Sequence, residues 1–207
     1  MSKVLLINGS PNEHGCTYTA LCEVAASLEK NGIETEILYL GKAPVPGCIA
    51  CGRCRRDGLC SFGGQVNDII KRIDEFDGIV AGSPVYYASA SGQITSFMDR
   101  LFYAAGRKMR GKVGAAVVSC RRGGASAAFD QLNKYFGPMQ MPIITSRYWN
   151  MVHGNKPEEV WQDKEGVQIM RILGHEMSWL LKSIEAGRKS GLSRPEPEEK
   201  IRTNFIR

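Results

Sequence analysis

Four cysteines fall within thirteen residues, as Cys48-x2-Cys51-x2-Cys54-x5-Cys60. Two overlapping Cys-x-x-Cys steps present three thiolates from one tight loop, with Gly52 and Gly58 to permit the turns. A fourth thiolate follows just beyond, which completes the ligand set of a [4Fe–4S] cube. In two-cluster ferredoxins the fourth cysteine precedes proline and serves another cluster. Here Cys60 precedes Ser61, and no second set exists. Four cysteines can also hold zinc tetrahedrally, but zinc sites usually join two separated knuckles and these four are consecutive. A redox dithiol fits less well, because Cys48-Ile49-Ala50-Cys51 does not open a helix after a strand. The remaining alternative is a vacant loop that keeps its cysteines without a cluster. The chain has seven cysteines, an odd number, which argues against a disulfide framework.

Two further stretches have the residue types of a ligand site. In Asn8-Gly9-Ser10-Pro11-Asn12-Glu13-His14-Gly15-Cys16-Thr17-Tyr18-Thr19, small and hydroxyl residues lead from an apolar run into a helix. Backbone N–H groups and the hydroxyls of Ser10, Thr17 and Thr19 could surround an anion there, with the helix N-terminus adding partial positive charge. Neither Gly-x-x-x-x-Gly-Lys-Ser/Thr nor Gly-x-Gly-x-x-Gly is present, and Leu40-Gly41-Lys42 stands where a dinucleotide fold places its ribose-binding acid. A phosphate monoester suits the loop better than a dinucleotide; a plain capped turn is the bland alternative. In Ser83-Pro84-Val85-Tyr86-Tyr87-Ala88-Ser89-Ala90-Ser91-Gly92, two aromatics are flanked by residues too small to fill a crevice. That pattern suits a flat aromatic ring stacked on a tyrosine; the alternative is that both tyrosines simply pack on the sheet. A third stretch, Ser119-Cys120-Arg121-Arg122-Gly123-Gly124, offers guanidinium groups beside such a ring or, as the commoner case, solvated loop arginines, with Cys120 expected to pack. A phosphoacceptor domain is excluded, since Asn8-Gly9 and Gly82-Ser83 stand where it needs acids.

These stretches fall at the ends of short apolar runs. Strands are expected at Lys3–Asn8, Glu34–Leu40, Gly78–Gly82, Val113–Ser119 and Met141–Ser146. Helices are expected at Thr17–Asn31, Val66–Phe76, Gly92–Ala105, Ala125–Phe136 and Glu165–Ala186. Alternation of this kind is the mark of a doubly wound parallel α/β sheet of five strands with helices on both faces. Such sheets bind ligands beyond the carboxyl ends of their strands, where strand order reverses. Residues 1–186 then make a single domain, with residues 48–60 an inserted cysteine loop. Residues 187–207 form a polar tail, either disordered or docked on a partner subunit. The last helix carries an apolar stripe of Val167, Met170, Leu173, Met177, Leu180, Leu181 and Ile184, which motivates assembly into at least a dimer.

Composition bounds the function. The 207 residues are 43% hydrophobic and 23% charged, an ordinary globular balance. No run approaches the roughly 18 apolar residues of a membrane helix, and the N-terminal apolar run is too short for a signal peptide. A soluble cytoplasmic protein is expected. The net charge of +6 is scattered among acids, which disfavours nucleic acid as a partner. His14, His153 and His175 are isolated, and no serine, histidine and acid constellation makes a side chain the catalyst.

The combination Gly9-Ser10-Pro11, Gly15-Cys16-Thr17, Ser83-Pro84-Val85-Tyr86-Tyr87, Ser91-Gly92-Gln93 and Phe97-Met98-Asp99-Arg100 closely resembles the flavodoxin-like NADPH-dependent FMN reductases. It looks most like their iron–sulfur flavoprotein branch, whose compact cysteine motif the Cys48–Cys60 loop also resembles. The resemblance runs from about Lys3 to Trp149. It implies FMN, with the phosphate on Ser10, Pro11, Asn12, Cys16, Thr17, Tyr18 and Thr19. The ring would lie against Pro84, Val85, Tyr86, Tyr87 and Ser89 on one side and Cys120, Arg121, Gly123 and Gly124 on the other. Arg121 near the pyrimidine edge would stabilise an anionic reduced ring. Cys16 departs from the Asn or Ser common in the family. Homodimers or homotetramers are implied, with the flavin near a subunit interface. The expected function is FMN-dependent oxidoreduction, with electrons passing between FMN and a [4Fe–4S] cluster and exchanged with an NAD(P)H or ferredoxin-like donor and a small acceptor. A cluster-free NAD(P)H-dependent FMN or quinone reductase and a carrier without turnover are the alternatives.

Overall fold

The computed structural model describes residues 2–203 and 205. The first strand, β1 (Lys3–Asn8), is buried from Val4 onward and is an interior strand of the sheet. It pairs in parallel with β2 (Glu34–Tyr39) on one side and β3 (Gly78–Tyr86) on the other. Outside β3 lie β5 (Val113–Cys120) and β6 (Met151–His153), both parallel. The five parallel strands run in the order β2-β1-β3-β5-β6, so strand order reverses between β1 and β3. A two-residue strand, β4 (Ser89–Ala90), folds back antiparallel on β3.

Alternation along the buried strands divides the core. Val4 and Leu6 face one layer, where they meet Leu21, Val24 and Leu28 of α1 (Cys16–Lys30) and Met170, Leu173 and Met177 of α7 (Lys164–Lys189). Leu5 and Ile7 face the other, against α3 (Gln65–Arg72), α4 (Gly92–Met109) and α5 (Ala125–Asn133). Two short helices, α2 (Arg53–Asp57) and α6 (Pro157–Val160), complete the set. Among the described residues, no helix is long and apolar enough to cross a membrane.

Three sequence expectations need correction. The fifth parallel strand is Met151–His153, not Met141–Ser146. The earlier segment touches β5 only at a Gly114–Ile143 bridge, where Gly114 N donates to Pro142 O and Ile144 N donates to Gly114 O. Pro142 has no N–H with which to extend that ladder backward; forward of the bridge, the Asn150 side-chain amide donates to the Ala116 carbonyl at 3.0 Å and the Asn150 carbonyl takes the Val118 N–H, which starts β6. Secondly, the stretch after Gly82 is not a loop: β3 continues to Tyr86 and turns through Tyr87-Ala88 into β4. Thirdly, the stripe on α7 is covered within the chain. Val167, Met170, Leu173, Met177 and Leu181 are buried and Leu180 and Ile184 partly so, against α1 and the sheet. That stripe therefore supplies no interface. Cys22 is half-buried on α1.

Candidate functional site

Three segments meet beyond the carboxyl ends of β1, β3 and β5. The β1–α1 loop begins at Gly9, where a Cβ would lie 2.5 Å from the Ile94 Cβ, so only glycine lets the loop pass α4. Gly9 N donates to Gly82 O at 2.9 Å, and Ser91 Oγ donates to Gly9 O at 2.6 Å. These bonds tie the loop to both ends of the hairpin. Within the loop, Ser10 Oγ accepts from Asn12 N and the Asn8 amide spans to Ser10 N and Glu13 O. Tyr39 at the end of β2 donates from its hydroxyl to Pro11 O at 2.8 Å. The position where a dinucleotide fold places its ribose acid is thus next to a residue that braces the loop.

Helix α1 starts at Cys16 with no side-chain cap and no acid in its first turn. The first N–H groups of such a helix lack intrahelical partners and carry roughly half a positive charge. An anion is the natural occupant. The hydroxyls expected to share that task are engaged elsewhere. Thr17, 1% exposed, is hydrogen-bonded through Oγ1 to Ser119 Oγ at 2.8 Å. Thr19 Oγ1 donates to Gly15 O. Cys16 Sγ lies 3.5 Å from Gly154 O, and burial pushes its thiol pKa up. The N–H groups of the first turn are the donors that helix geometry leaves without an intrahelical partner on this loop. Tyr18 stacks edge-on with His14 on the outer face.

The hairpin tip is strained. Tyr87 and Ala88 have φ of 49° and 59°, a left-handed pair that side chains resist. Such strain persists where surrounding structure imposes it, and functional sites are common places for it. Here the β5–α5 loop presses on the tip: Gly124, at φ 86°, would set a Cβ 2.8 Å from the Ala88 Cα. Pro84 and Val85 are half-buried, while Tyr86, Tyr87 and Ser89 are exposed, Tyr87 completely. Arg121 and Gly123 are also exposed, and Cys120 is buried in the core, where burial raises its thiol pKa.

The cysteine loop leaves β2 and runs down the outside of α4. Gln93 holds its start by donating to Gly41 O and Ala43 O. Left-handed conformations at Ala50, Gly52 and Gly58 turn it around α2. Cys48, Cys51, Cys54 and Cys60 are all free thiols and line one cavity with Arg100 and Tyr103. The cavity holds about 70 Å³, several times the roughly 10–15 Å³ that one water needs. Cys51 Sγ is 3.4 Å from Ser61 Oγ, a contact that holds its thiol below the ordinary range. Cys60 Sγ accepts from Arg100 Nε at 3.1 Å. Among the described residues, no three His, Cys, Asp or Glu side chains converge tightly enough to hold one metal ion. The four thiols share a cavity without meeting at a point. Arg100 and Tyr103 lie eight and eleven residues beyond Gly92, so the cavity is about 12–17 Å down α4 from the hairpin at the helical rise.

The bracing roles of Tyr39 and Gln93 and the place of Arg100 in the cavity were not expected from the sequence. Arg100 carried a signal: an arginine between Phe97, Met98 and Leu101 on an inward-facing stripe needs a buried partner.

Residues 2–156 match the NADPH-dependent FMN reductase family. The chain is 32% identical to an iron–sulfur flavoprotein of Methanocaldococcus jannaschii over 191 residues, 88% of this chain and 99% of that one. Solved structures that share its fold include RosB and an archaeal flavodoxin. RosB, with bound 8-demethyl-8-formylriboflavin-5'-phosphate, gives a TM-score of 0.67 at 14% identity over 99% of this chain and 92% of its own. A flavodoxin from the domain Archaea gives 0.59 at 15% identity over 88% and 99%. The chain belongs to the NADPH-dependent FMN reductase family, and is a flavin-dependent oxidoreductase of flavodoxin-like fold.

Proposed function

We propose that the protein passes electrons between FMN, held at the ends of β1, β3 and β5, and a [4Fe–4S] cluster held by Cys48, Cys51, Cys54 and Cys60. The observation that carries this reading is the second site: four free thiols of one loop line a single cavity, in a chain that also has an uncapped helix N-terminus beside a strained aromatic hairpin. The donor set fits a cube in kind and number. The similarity to an iron–sulfur flavoprotein supports it.

Each segment has a stated task. The N–H groups of Cys16, Thr17 and Tyr18 at the start of α1 bind the FMN phosphate, with Ser10, Pro11, Asn12 and Thr19 shaping the loop around it. Pro84, Val85, Tyr86, Tyr87 and Ser89 border the ring, and the Cys120–Gly124 loop closes its other edge. Arg121 supplies positive charge there. Bound in these places, FMN would supply one- and two-electron chemistry and the cube single-electron storage. The protein's part is to position both and to set their potentials. The electron donor is NAD(P)H or a ferredoxin-like protein, and the acceptor is a small molecule. Seven free thiols suit a reducing, cytoplasmic compartment.

A cluster-free NAD(P)H-dependent FMN or quinone reductase is the second reading. It is favoured by the finding that no three candidate ligands converge on one point among the described residues. Anaerobic reconstitution separates the two. The first reading requires about four iron and four sulfide per chain, with broad visible absorption beneath the flavin bands. Cys54→Ala should abolish that absorption and leave FMN bound, because the flavin segments lie elsewhere. Cys22→Ser, on α1, should leave the iron content intact. One tightly held zinc without acid-labile sulfide would identify a zinc site. Failure to retain either metal, with steady NAD(P)H oxidation, would establish the cluster-free reductase. FMN bound with no such turnover would leave an electron carrier.

A further inference from the structure

Among the buried polar side chains of the described residues, Arg100 is the only charged one, with 4% of its surface exposed. A guanidinium taken out of water is costly unless a counter-charge and hydrogen-bond acceptors meet it. Its acceptors are Cys60 Sγ at 3.1 Å from Nε and Gly63 O at 2.8 Å from Nη2. The Phe62 ring lies 5.3 Å from its central carbon. Among the described residues no carboxylate pairs with it; the neighbouring Asp99 instead accepts from the Tyr135 hydroxyl at 2.6 Å. The buried positive charge therefore faces a thiol sulfur, in a cavity that three further thiols share.

Cys60 is also the best anchored of the four cysteines. Asn67 Oδ1 accepts from Cys60 N at 2.8 Å, and Asn67 Nδ2 donates back to Cys60 O at 3.0 Å. Cys48 and Cys51, by contrast, are exposed on a stretch without regular structure. One ligand is held in place before any metal arrives, and the buried cation points at its sulfur.

We propose that Arg100 is a positioning residue that fixes Cys60 as the anchored ligand and supplies the buried counter-charge that raises the cluster's reduction potential. This inference rests on the cluster reading above. Reduction adds an electron to a thiolate-ligated cluster that is already anionic. A cation with an N–H donated to one of its sulfurs stabilises the reduced form more than the oxidised form. Removing that cation must therefore move the potential downward.

The test uses the full chain, reconstituted anaerobically with iron and sulfide and reduced in steps with dithionite, while the cluster is followed by electron paramagnetic resonance. Arg100→Gln should retain FMN and take up iron. At the wild-type midpoint its ratio of reduced to oxidised cluster should fall about tenfold, which is 59 mV for a one-electron couple. The FMN potential in the same samples should stay where it was. Full iron with an unchanged cluster potential overturns the proposal and leaves the cluster reading standing. A wild-type chain that binds no iron overturns both. Independently of whether Arg100→Gln folds, the wild-type protein labelled with 15N-arginine gives a second measurement. Its reduced cluster should show a nitrogen coupling of hydrogen-bond strength, and the absence of that coupling overturns the proposal without any variant.

Discussion

Thr17 shows how a residue suited to one role is assigned another by its neighbour. Its hydroxyl could serve an anion, yet it sits 1% exposed and bonded to Ser119 across the gap between α1 and β5. Thr17→Val leaves the Ser119 hydroxyl buried without that partner, a cost of about 1–3 kcal/mol. The expected outcome is a lower unfolding midpoint, with FMN and riboflavin weakened by equal factors. A loss confined to FMN would show that the hydroxyl does reach the phosphate. The phosphate-specific change belongs instead at Tyr18, in the first turn. Tyr18→Glu places a carboxylate against the uncapped N–H groups, where it favours the helix and opposes a bound anion. FMN affinity measured by fluorescence titration should fall at least tenfold while riboflavin affinity changes little. Equal losses would remove the helix N-terminus from the phosphate site.

Strand β2 lies at the sheet edge, and its attachment there is partly electrostatic. Arg72 of α3 binds both oxygens of Glu36, at 3.0 and 2.7 Å, while Lys3 of β1 lies 3.0 Å from the same carboxylate. The Arg72 fork, with Lys3 adding to it, holds the Glu36 carboxyl below the ordinary glutamate range against the opposing effect of partial burial. A carboxyl pKa depressed in the folded state stabilises the fold above the unfolded value and loses that contribution as pH falls through the folded one. With Glu36 still 27% exposed, the contribution is about 1 kcal/mol at most. Urea midpoints of wild type and Glu36→Gln should differ near neutral pH, and the difference should shrink progressively as pH falls below the ordinary glutamate value of about 4.3 toward the depressed folded one. A gap that does not shrink with acidification would show that packing, not the carboxylate charge, holds the strand. Tyr39 on the same strand braces the β1–α1 loop, so the position of this edge bears on the candidate site.

At the scale of the molecule, two apolar layers are complete within one chain, and α7 contributes to one of them rather than to a partner. The exposed large hydrophobic side chains include many aromatics: Tyr86 and Tyr87 at the hairpin, the stacked pair Tyr148 and Trp149, and Trp179 of α7. Large exposed aromatics of this kind favour association. With the family resemblance they motivate the expectation of a homodimer or homotetramer. Sedimentation of the FMN-loaded protein should give a mass of at least twice the 22.8 kDa chain. A monomer with FMN bound would refute assembly and with it any role of a second copy at the flavin.

The residues themselves determined a good deal. Buried strands such as Lys3–Asn8 and helices such as α7 are legible because apolar period is a local property, written along consecutive residues. The cysteine spacing and the Gly9-Ser10-Pro11 turn are local in the same way, and so was the resemblance they carried. Tertiary structure decided what depends on two distant segments meeting. Met151–His153 takes the fifth place in the sheet because Asn150 reaches β5, its side chain donating to the Ala116 carbonyl and its own carbonyl accepting from Val118 across thirty-two positions of chain. The run after Gly82 became a hairpin because Ala90 and Ser89 found Val85 and Tyr86, and because Gly124 leaves room for its tip. Thr17 turned inward to Ser119, and Arg100 turned toward Cys60 forty residues away. Pairing energies between remote groups exist only once the chain has closed, so no local pattern announces them.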